Sequence, residues 1–414
     1  MTGSSAARAL RIPILGLVAA ESLSLLGNQV AAVAIPILVL QFTGSPLITG
    51  LASAGNVAPI VLAALVGGRA IDRFGAWTMS VASDLLSFAS VLLLPLAFLH
   101  LGEVPPLLLF LLVFTGALFD PTGVSARQTL VPRLARMAGT PLERVNSLRG
   151  GLENGADFLG PLVGVGLIAV AGTVNAFFVN AATFVLCAAI FIATVPRPRR
   201  RPAPAASAGD GAASGIRFLF LHRGLRAIAV MGTIGGFVIL PFLGLLLPVL
   251  ATQKFDSVPL LGISLSAFGL AATLGAVAFS RLARALSRST IYYGGLCLTG
   301  LAIALSAFAA EPYQLVLCAA LAGLLLGAGN PLQQTVVHEE TPRAIAGRVF
   351  TSLAALHFVG GPFGLLLAGA LTEYAGIERV LLLAGGVLLV SASLGWVALP
   401  VPAARGAAAP SPPR

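Results

Sequence analysis

The sequence predicts an all-α integral membrane protein with twelve transmembrane helices arranged in two six-helix halves. Three observations predict this fold class: the composition, the number of long apolar runs, and one long polar linker near the middle. The 414 residues are 57% hydrophobic and 10% charged, with a mean hydropathy of +0.97, whereas soluble proteins carry about 25% charged residues. This composition excludes a soluble enzyme, a disordered chain and a secreted disulfide scaffold.

The apolar runs give the individual helices. A helix needs about 20 apolar residues to cross a bilayer, and the chain contains twelve runs of this kind. Their predicted limits are 12–40, 46–69, 79–99, 106–125, 145–170, 175–195, 227–250, 259–280, 291–309, 313–337, 345–371 and 377–399.

The polar linker divides the chain into domains. Residues 1–195 form the predicted N-terminal half, 196–226 a linker, 227–400 the C-terminal half and 401–414 a tail. The linker is rich in Pro, Ala, Ser and Gly. It closes with a segment in which Phe218, Leu221 and Leu225 alternate with arginines, a pattern that predicts an amphipathic helix on the membrane surface.

Basic residues predict the orientation. Of the 25 Lys and Arg residues, all but Lys254 and Arg379 fall on one side of the predicted helices, together with both termini. Because Lys and Arg are enriched in cytoplasmic loops, we expect both termini to be cytoplasmic. The predominance of arginine over lysine is typical of a GC-rich genome and favours a bacterial plasma (inner) membrane.

The net charge of +10 does not indicate nucleic-acid binding, because the basic residues lie in short clusters between apolar runs and form no stripe interleaved with aromatics. We expect the partners to be the lipid bilayer and a small hydrophobic or amphipathic substrate, with no nucleic acid, and the protein to be a monomer.

The two halves share short sequence patterns. Gly160-Pro161 followed by Gly164 in predicted helix 5 matches Gly361-Pro362 followed by Gly364 in helix 11. Gln128-Thr129 similarly matches Gln334-Thr335. Such internal repetition is typical of transporters built from two related halves.

Acidic residues inside the apolar runs are the first functional candidates, because a charge at membrane depth costs about 2.5–3.5 kcal/mol. Glu21 lies in helix 1, and Arg149, Glu153 and Asp157 follow one another at four-residue spacing on one face of helix 5. We expect Glu21 and Asp157 to bind and release a proton. Glu153 has two interpretations, a proton-coupling group or a local partner of Arg149. His357 is a candidate proton relay or a core residue, since imidazole titrates near neutral pH.

Other polar residues have weaker assignments. Asp84 and Asp120 lie closer to the cytoplasmic ends, where pairs with Arg73 or Arg127 would stabilise a gate. Uncharged polar residues at depth either line a central cavity or bridge helices: Asn28, Gln29, Asn56, Asn154 and Asn330. No catalytic residue, metal site or cofactor is predicted, because the sequence has no nucleophile motif, metal-ligand cluster or phosphate-binding loop. A proton gradient is the expected energy source.

The loop after helix 2 carries a family likeness. Its sequence, Gly68-Arg69-Ala70-Ile71-Asp72-Arg73-Phe74-Gly75, resembles the loop signature of the major facilitator superfamily. Other stretches resemble the drug-efflux branch that includes macrolide and enterobactin exporters: Leu26-Gly27-Asn28-Gln29, Leu40-Gln41-Phe42-Thr43-Gly44-Ser45-Pro46, Ser83-Asp84-Leu85-Leu86, Ala126-Arg127-Gln128-Thr129-Leu130-Val131-Pro132 and Val145-Asn146-Ser147-Leu148.

The resemblance implies the major facilitator fold and roles for particular residues. Gly68, Asp72, Arg73 and Gly75 would form a gating loop. Asp72 would bind the start of helix 11, predicted as an N-cap at Thr341-Pro342 with Arg348 one turn on. Gly160, Pro161 and Gly164 resemble the antiporter signature, which lets helix 5 bend and pack closely.

Two features depart from the family pattern. Ala76 and Trp77 stand where two basic residues usually follow the loop, and residues 105–124 contain no arginine, so the usual arginine of helix 4 is expected to be missing.

The expected function is proton-coupled export of hydrophobic or amphipathic compounds, such as antibiotics, by alternating access. Alternatives are a siderophore exporter, a lysophospholipid flippase, or a membrane sensor that does not transport. The sequence gives no support for an enzyme.

Overall fold

The computed structural model describes residues 2–102, 104–197, 211–342, 345–399 and 401. Within them twelve helical spans are long and apolar enough to cross a membrane, which confirms the predicted number. Spans 1 to 12 are Ile12–Thr43, Pro46–Ala63, Ala76–Leu101, Pro106–Met137, Arg144–Ala171, Thr173–Thr194, Arg223–Lys254, Val258–Phe279, Thr290–Phe308, Pro312–Glu340, Ser352–Ala375 and Ile377–Ala398.

Eight spans belong to single uninterrupted helices, most of them longer than the membrane-crossing part. Their bounds are Thr2–Thr43, Pro46–Phe74, Ala76–Leu101, Leu142–Ala171, Thr173–Thr194, Val258–Ala285, Ala346–Ala375 and Ile377–Ala398. The turns after spans 5 and 11 are equivalent, since Gly172 and Gly376 both take φ near +85°. A residue without a Cβ tolerates this backbone conformation best.

The other four spans are interrupted. Span 4 consists of Pro106–Leu118 and Asp120–Met137, and span 10 consists of Pro312–Gly327 and Gly329–Glu340. Span 7 comprises Arg223–Pro241 and Leu247–Val249 with π-helical turns at Phe242–Leu246 and Leu250–Lys254. Span 9 has a π turn at Thr290–Gly294, then Gly295–Leu305 and a 3₁₀ turn at Ser306–Phe308.

The two halves meet along spans 2 and 11 and along spans 5 and 8. Small residues allow the backbones to approach closely. A Cβ at Gly50 would lie 2.5 Å from the carbonyl oxygen of Leu365, and one at Gly262 would lie 2.7 Å from Val165 Cγ2. The contacts reach mid-span, where Gly269 faces the backbone of Asp157.

The close contacts between the halves are unevenly distributed across the membrane. We call the side that carries the N-terminus and the arginine-rich loops the arginine-rich side, and the other the far side. Gly68 of the span 2 helix and Gly150 and Gly151 of span 5 lie nearer the arginine-rich side, and a Cβ at any of them would meet no atom within 4 Å among the described residues. The close approaches of Gly50, Gly262 and Gly269 to the opposite half lie mid-span or toward the far side.

The segment before span 7 differs from its prediction. A helix runs over Gly211–Leu221, breaks at His222, and span 7 starts at Arg223. The helix packs against the helix of span 11. Leu219 and Leu225 are fully buried whereas Leu221 is 73% exposed. The prediction of a single helix over residues 216–227 is wrong, because the chain breaks at His222 and its second part belongs to span 7. Linker residues 198–210 and tail residues 402–414 lie outside the described residues.

Candidate functional site

Span 1 carries a row of four polar side chains, which we call the ladder together with the side chains bonded to them. Glu21, Ser24 and Asn28 recur at three- to four-residue spacing, which places them on one helix face, and Gln29 follows. Their partners lie on spans 4 and 5, so the ladder joins span 1 to two other helices of the N-terminal half.

The first layer joins Glu21 to Arg149. The guanidinium donates from Nε to Oε2 at 2.6 Å and from Nη2 to Oε1 at 2.5 Å. This fork-to-fork geometry is the strongest arrangement for an arginine and a carboxylate. Glu153, one turn further along span 5, is exposed and has no hydrogen bond or ion pair with the described part of the chain. The local Arg149–Glu153 pairing is therefore wrong, because the guanidinium points across to span 1.

The second layer is centred on Arg127, which is fully buried. Its Nη1 donates to Asp84 Oδ1 at 2.8 Å and to Oδ2 at 3.1 Å, and its Nη2 lies 3.7 Å from Asp120 Oδ1. Span 4 continues to Met137 beyond the break at Phe119. The expectation that span 4 lacks an arginine is therefore wrong, because the predicted helix was too short to include Arg127.

Asp120 fixes this layer to span 1. Ser24 Oγ donates to Oδ1 at 2.9 Å and Asn28 Nδ2 donates to Oδ2 at 2.7 Å. Asn28 was predicted to line the cavity or to bridge helices, and the structure gives it the bridging role. Of the two arginines predicted as gate partners, Arg127 pairs with both aspartates. Arg73 is exposed and lies against the ring of Phe74 instead.

The third layer joins Gln29 to Asp157. The amide nitrogen Nε2 donates to Asp157 Oδ1 at 2.6 Å. Gly160 makes this approach possible, because a Cβ there would come within 2.5 Å of Gln29 Cβ. The backbone of Asp157 faces Gly269 of span 8, so this carboxyl lies where the two halves meet.

The Gly-Pro stretch of span 5 packs on two helices at once. A Cβ at Gly164 would lie 3.3 Å from Cα of Val30 in span 1. A Cβ at Gly262 of span 8 would lie 3.2 Å from the carbonyl oxygen of Pro161. Pro161 lies inside the continuous helix Leu142–Ala171. The predicted close packing is therefore present on both sides of span 5.

His357 lies away from the ladder. Its ring nitrogen Nδ1 lies 3.9 Å from the Cβ position of Gly232, and the ring makes an edge contact with Phe358, at 5.6 Å between ring centroids. Its own backbone packs on Gly236. These contacts anchor span 11 to span 7 within the C-terminal half and account for the histidine structurally.

Three predicted cavity residues keep unbonded amides. Asn56 is half-buried, Asn154 and Asn330 are exposed, and none of them hydrogen-bonds with another described residue. In this they differ from Asn28 and Gln29, whose amides bond to Asp120 and Asp157.

The loop after span 2 turns at Gly75, where φ is +86°. Asp72 is exposed and bonds to none of the described residues. The helix of span 11 begins at Ala346, so the predicted N-cap at Thr341-Pro342 is wrong. Thr341 instead ends the helix Gly329–Glu340. The side chain of Arg348 lies outside the described residues.

The far side is closed by contacts that the sequence did not predict. Glu373, near the end of span 11, accepts hydrogen bonds from Ser45 Oγ at 2.9 Å and from the backbone N–H of Leu47 at 3.3 Å. These groups form the N-terminus of span 2, whose partial positive charge favours a carboxylate. Ser53 Oγ also donates to the carbonyl of Gly244 at 2.9 Å. The position of Glu373 at the end of an apolar run is a visible feature of the sequence. Its partner Ser45 lies 328 residues away, and no neighbouring residue indicates that pairing.

Comparison with known proteins shows the same architecture. The chain matches the profile of the transmembrane secretion effector family over residues 5–412. It is 32% identical over 387 residues to the multidrug efflux pump Tap of Mycolicibacterium fortuitum, covering 92% of this chain and 93% of Tap. It is 21% identical to macrolide efflux protein A of Streptococcus pyogenes, covering 90% and 92% of the two chains.

A third relative is the enterobactin exporter EntS of Escherichia coli O1:K1 / APEC, which is 26% identical over 85% of this chain and 83% of EntS. Among solved structures, the nucleoside transporter NupG superposes with a TM-score of 0.75 at 13% identity, covering 93% of this chain and 98% of NupG. At this identity the structural likeness shows the fold alone.

Proposed function

The chain belongs to the transmembrane secretion effector family of the major facilitator superfamily, and we propose that it exports hydrophobic or amphipathic small molecules, antibiotics among them, in exchange for protons. Its relatives carry the names of multidrug and macrolide efflux proteins, and its twelve spans make it a multi-pass membrane protein. We further assign the proton as the coupling ion, the path that the substrate takes through the protein, and the residues that exchange the proton.

The charge balance of the ladder is the observation that carries the proposal. Around span 1 the structure gathers five carboxyl groups but two guanidinium groups, namely Glu21, Asp84, Asp120, Glu153 and Asp157 against Arg127 and Arg149. An uncompensated carboxylate at membrane depth costs about 2.5–3.5 kcal/mol. A proton or a cationic substrate offsets that cost, so the two would compete for the same carboxyl groups.

We assign the coupling of protonation to movement to two of these carboxyl groups, Glu21 and Asp157. Protonation of Glu21 removes the charge that holds Arg149, and protonation of Asp157 weakens its bond to Gln29. Both bonds fasten span 1 to span 5, and span 5 is also packed against span 8 of the other half. Releasing them would free span 5 to move with the rocking of the two halves.

The arginine-rich side gives the substrate route. We assign the arginine-rich side to the cytoplasm, because cytoplasmic loops are enriched in Lys and Arg. A substrate would then enter from the cytoplasm or the inner leaflet. The far side would stay closed, because Glu373 of span 11 is bonded to the N-terminus of span 2. Proton uptake from outside would follow once the halves have rocked and the far side has opened.

Anionic substrates fit the ladder less well. Arg149 gives its two hydrogen bonds to Glu21, and Arg127 is fully buried between aspartates, so neither guanidinium faces a solute. The described part of the ladder consequently offers no open cation to a siderophore or to an anionic lysophospholipid head group. A siderophore and a lysophospholipid are therefore included in the test as alternative substrates.

The test uses purified protein in liposomes with an imposed pH gradient and an internal pH dye. The panel contains lipophilic cationic antibiotics, a siderophore and a labelled lysophospholipid. Wild type is compared with Glu21→Gln, Asp157→Asn and the control Glu378→Gln, whose carboxyl is 65% exposed in a surface pair with Lys254.

We expect cationic antibiotics to move protons in wild type and Glu378→Gln, and either ladder substitution to abolish that movement. If only the siderophore or the lysophospholipid crosses, and does so equally without the gradient, proton-coupled drug export is refuted.

A further inference from the structure

A groove lies outside the ladder, on the arginine-rich side of the N-terminal half. It is a groove of about 380 Å³ where the start of span 1, the start of span 3 and the end of span 6 meet. Its walls include Ile12, Trp77 and Ile192, and its rim carries Arg197. Ile12 and Ile192 are each about half exposed, so an apolar surface at the edge of the membrane opens toward the groove.

Trp77 is held in a fixed orientation. Its indole Nε1 donates to the carbonyl of Val195 at 2.9 Å, and its ring lies 6.2 Å from that of Phe191. The rigid indole forms one wall of the groove. Trp77 also follows the signature loop by two residues, at a position where related loops carry a basic residue.

Arg197 supplies the groove with a positive charge. Its guanidinium carbon lies 5.2 Å from the centre of the Trp77 ring, a cation–π distance. No carboxylate lines the groove, and Arg197 has no acidic partner among the residues that the structure describes. In the sequence, Pro198 and then Arg199, Arg200 and Arg201 follow, outside the described residues. The site therefore combines an apolar floor with an unneutralised cation at its rim.

We propose that this groove binds an anionic phospholipid of the leaflet on the arginine-rich side. The phosphate accepts hydrogen bonds from Arg197, and the upper part of an acyl chain lies against Ile12, Ile192 and the face of Trp77. Clusters of Arg at a membrane surface attract anionic lipids, and tryptophan is enriched at this depth. Because Trp77 follows Gly75 so closely, an occupied groove would fix the end of the signature loop.

The chain offers a direct reporter, because it contains two tryptophans, Trp77 and Trp396. In the Trp396→Phe background, Trp77 is the sole source of indole fluorescence. Full-length protein in detergent is titrated with phosphatidylglycerol brominated on its acyl chains, which quenches an indole on contact, and separately with brominated phosphatidylcholine. Each titration is repeated with Arg197→Gln and with the control Arg281→Gln, which removes an exposed arginine at the other half.

We expect phosphatidylglycerol to quench Trp77 saturably at about fivefold lower concentration than phosphatidylcholine, the factor that corresponds to about 1 kcal/mol per arginine at an anionic surface. Arg197→Gln should remove this preference and Arg281→Gln should preserve it. Excess inorganic phosphate should not reverse the quenching, because it lacks the acyl chain.

Three results would overturn the proposal. Equal quenching by both lipids would mean a non-selective apolar groove. A preference that survives Arg197→Gln would place the anion elsewhere. Full reversal by inorganic phosphate would reduce the groove to a simple anion site.

Discussion

Removing the carboxylate of Asp84 tests the buried layer around Arg127 most severely. Asp84→Ala leaves a fully buried guanidinium with Asp120 3.7 Å from its Nη2 as the remaining carboxylate. Breaking a buried ion pair by deleting one partner costs about 3–5 kcal/mol, because the other charge stays buried without compensation. The two bonds lost, at 2.8 and 3.1 Å, place this substitution within that range.

The pair Arg288–Glu339 is the matched control. Each pair has two hydrogen bonds, but Arg288 donates from Nη1 and Nη2 to Glu339, at 2.7 and 2.8 Å, whereas both bonds to Asp84 come from Nη1 of Arg127. Glu339 is also 30% exposed, at the end of span 10. The hydrogen bond to Glu339 raises the pKa of Arg288, which lies between spans 8 and 9. Since exposed pairs contribute about 0–1 kcal/mol, Arg288→Ala should lower the free energy of unfolding by no more than that.

The assay is reversible unfolding of the purified protein in mixed detergent and SDS micelles. The double variant Asp84→Ala/Arg127→Leu should recover part of the loss, with a coupling energy of roughly 2 kcal/mol or more between the two sites. If Asp84→Ala costs no more than Arg288→Ala, or the double variant shows no coupling, Arg127 is not held as a buried charge and the layer is misassigned.

Three further predictions concern movement and transport. Glu373→Gln should weaken the far-side closure, and Ser53→Cys then serves as the reporter. In the Glu373→Gln background this cysteine should react faster with a membrane-impermeant thiol reagent added outside. Unchanged labelling would contradict the role of Glu373. Gly269→Leu should block the approach of spans 5 and 8, because its Cβ alone comes within 2.8 Å of the Asp157 carbonyl, and transport should fall to background while the folded protein is retained. Arg149→Lys keeps the positive charge but cannot donate two hydrogen bonds to Glu21. The rate of proton-coupled transport should fall about tenfold, which corresponds to the loss of one charge-assisted hydrogen bond. A wild-type rate would show that the paired hydrogen bonds are dispensable.

The helices were predictable because the bilayer sets their length. Each of the twelve apolar runs predicted from the sequence corresponds to a span of the structure. The prediction was too short for span 4, because Arg127, Arg133 and Arg136 lower the hydropathy of a segment that continues as helix to Met137. In the sequence alone, charged residues in an apolar run resemble the end of a membrane helix. In the structure Arg127 pairs with two aspartates, and the helix continues.

The candidate site was predictable in residue type but not in pairing. The acidic residues Glu21 and Asp157 were identified by the cost of charge at depth. That Arg149 bonds to Glu21 across 128 residues, rather than to Glu153 one turn away, depends on how spans 1 and 5 pack. Glu373 escaped notice for the same reason, since its partner is the backbone of a distant helix N-terminus.

Proton release on substrate binding tests the central claim most directly. Purified protein in weakly buffered detergent solution is mixed with a lipophilic cationic antibiotic while a pH dye is followed, and the same is done with Asp157→Asn and with the control Glu378→Gln. If proton and substrate compete for the ladder, wild type and Glu378→Gln release protons on binding and Asp157→Asn releases fewer. Binding of the antibiotic to wild type without any proton release would contradict the account.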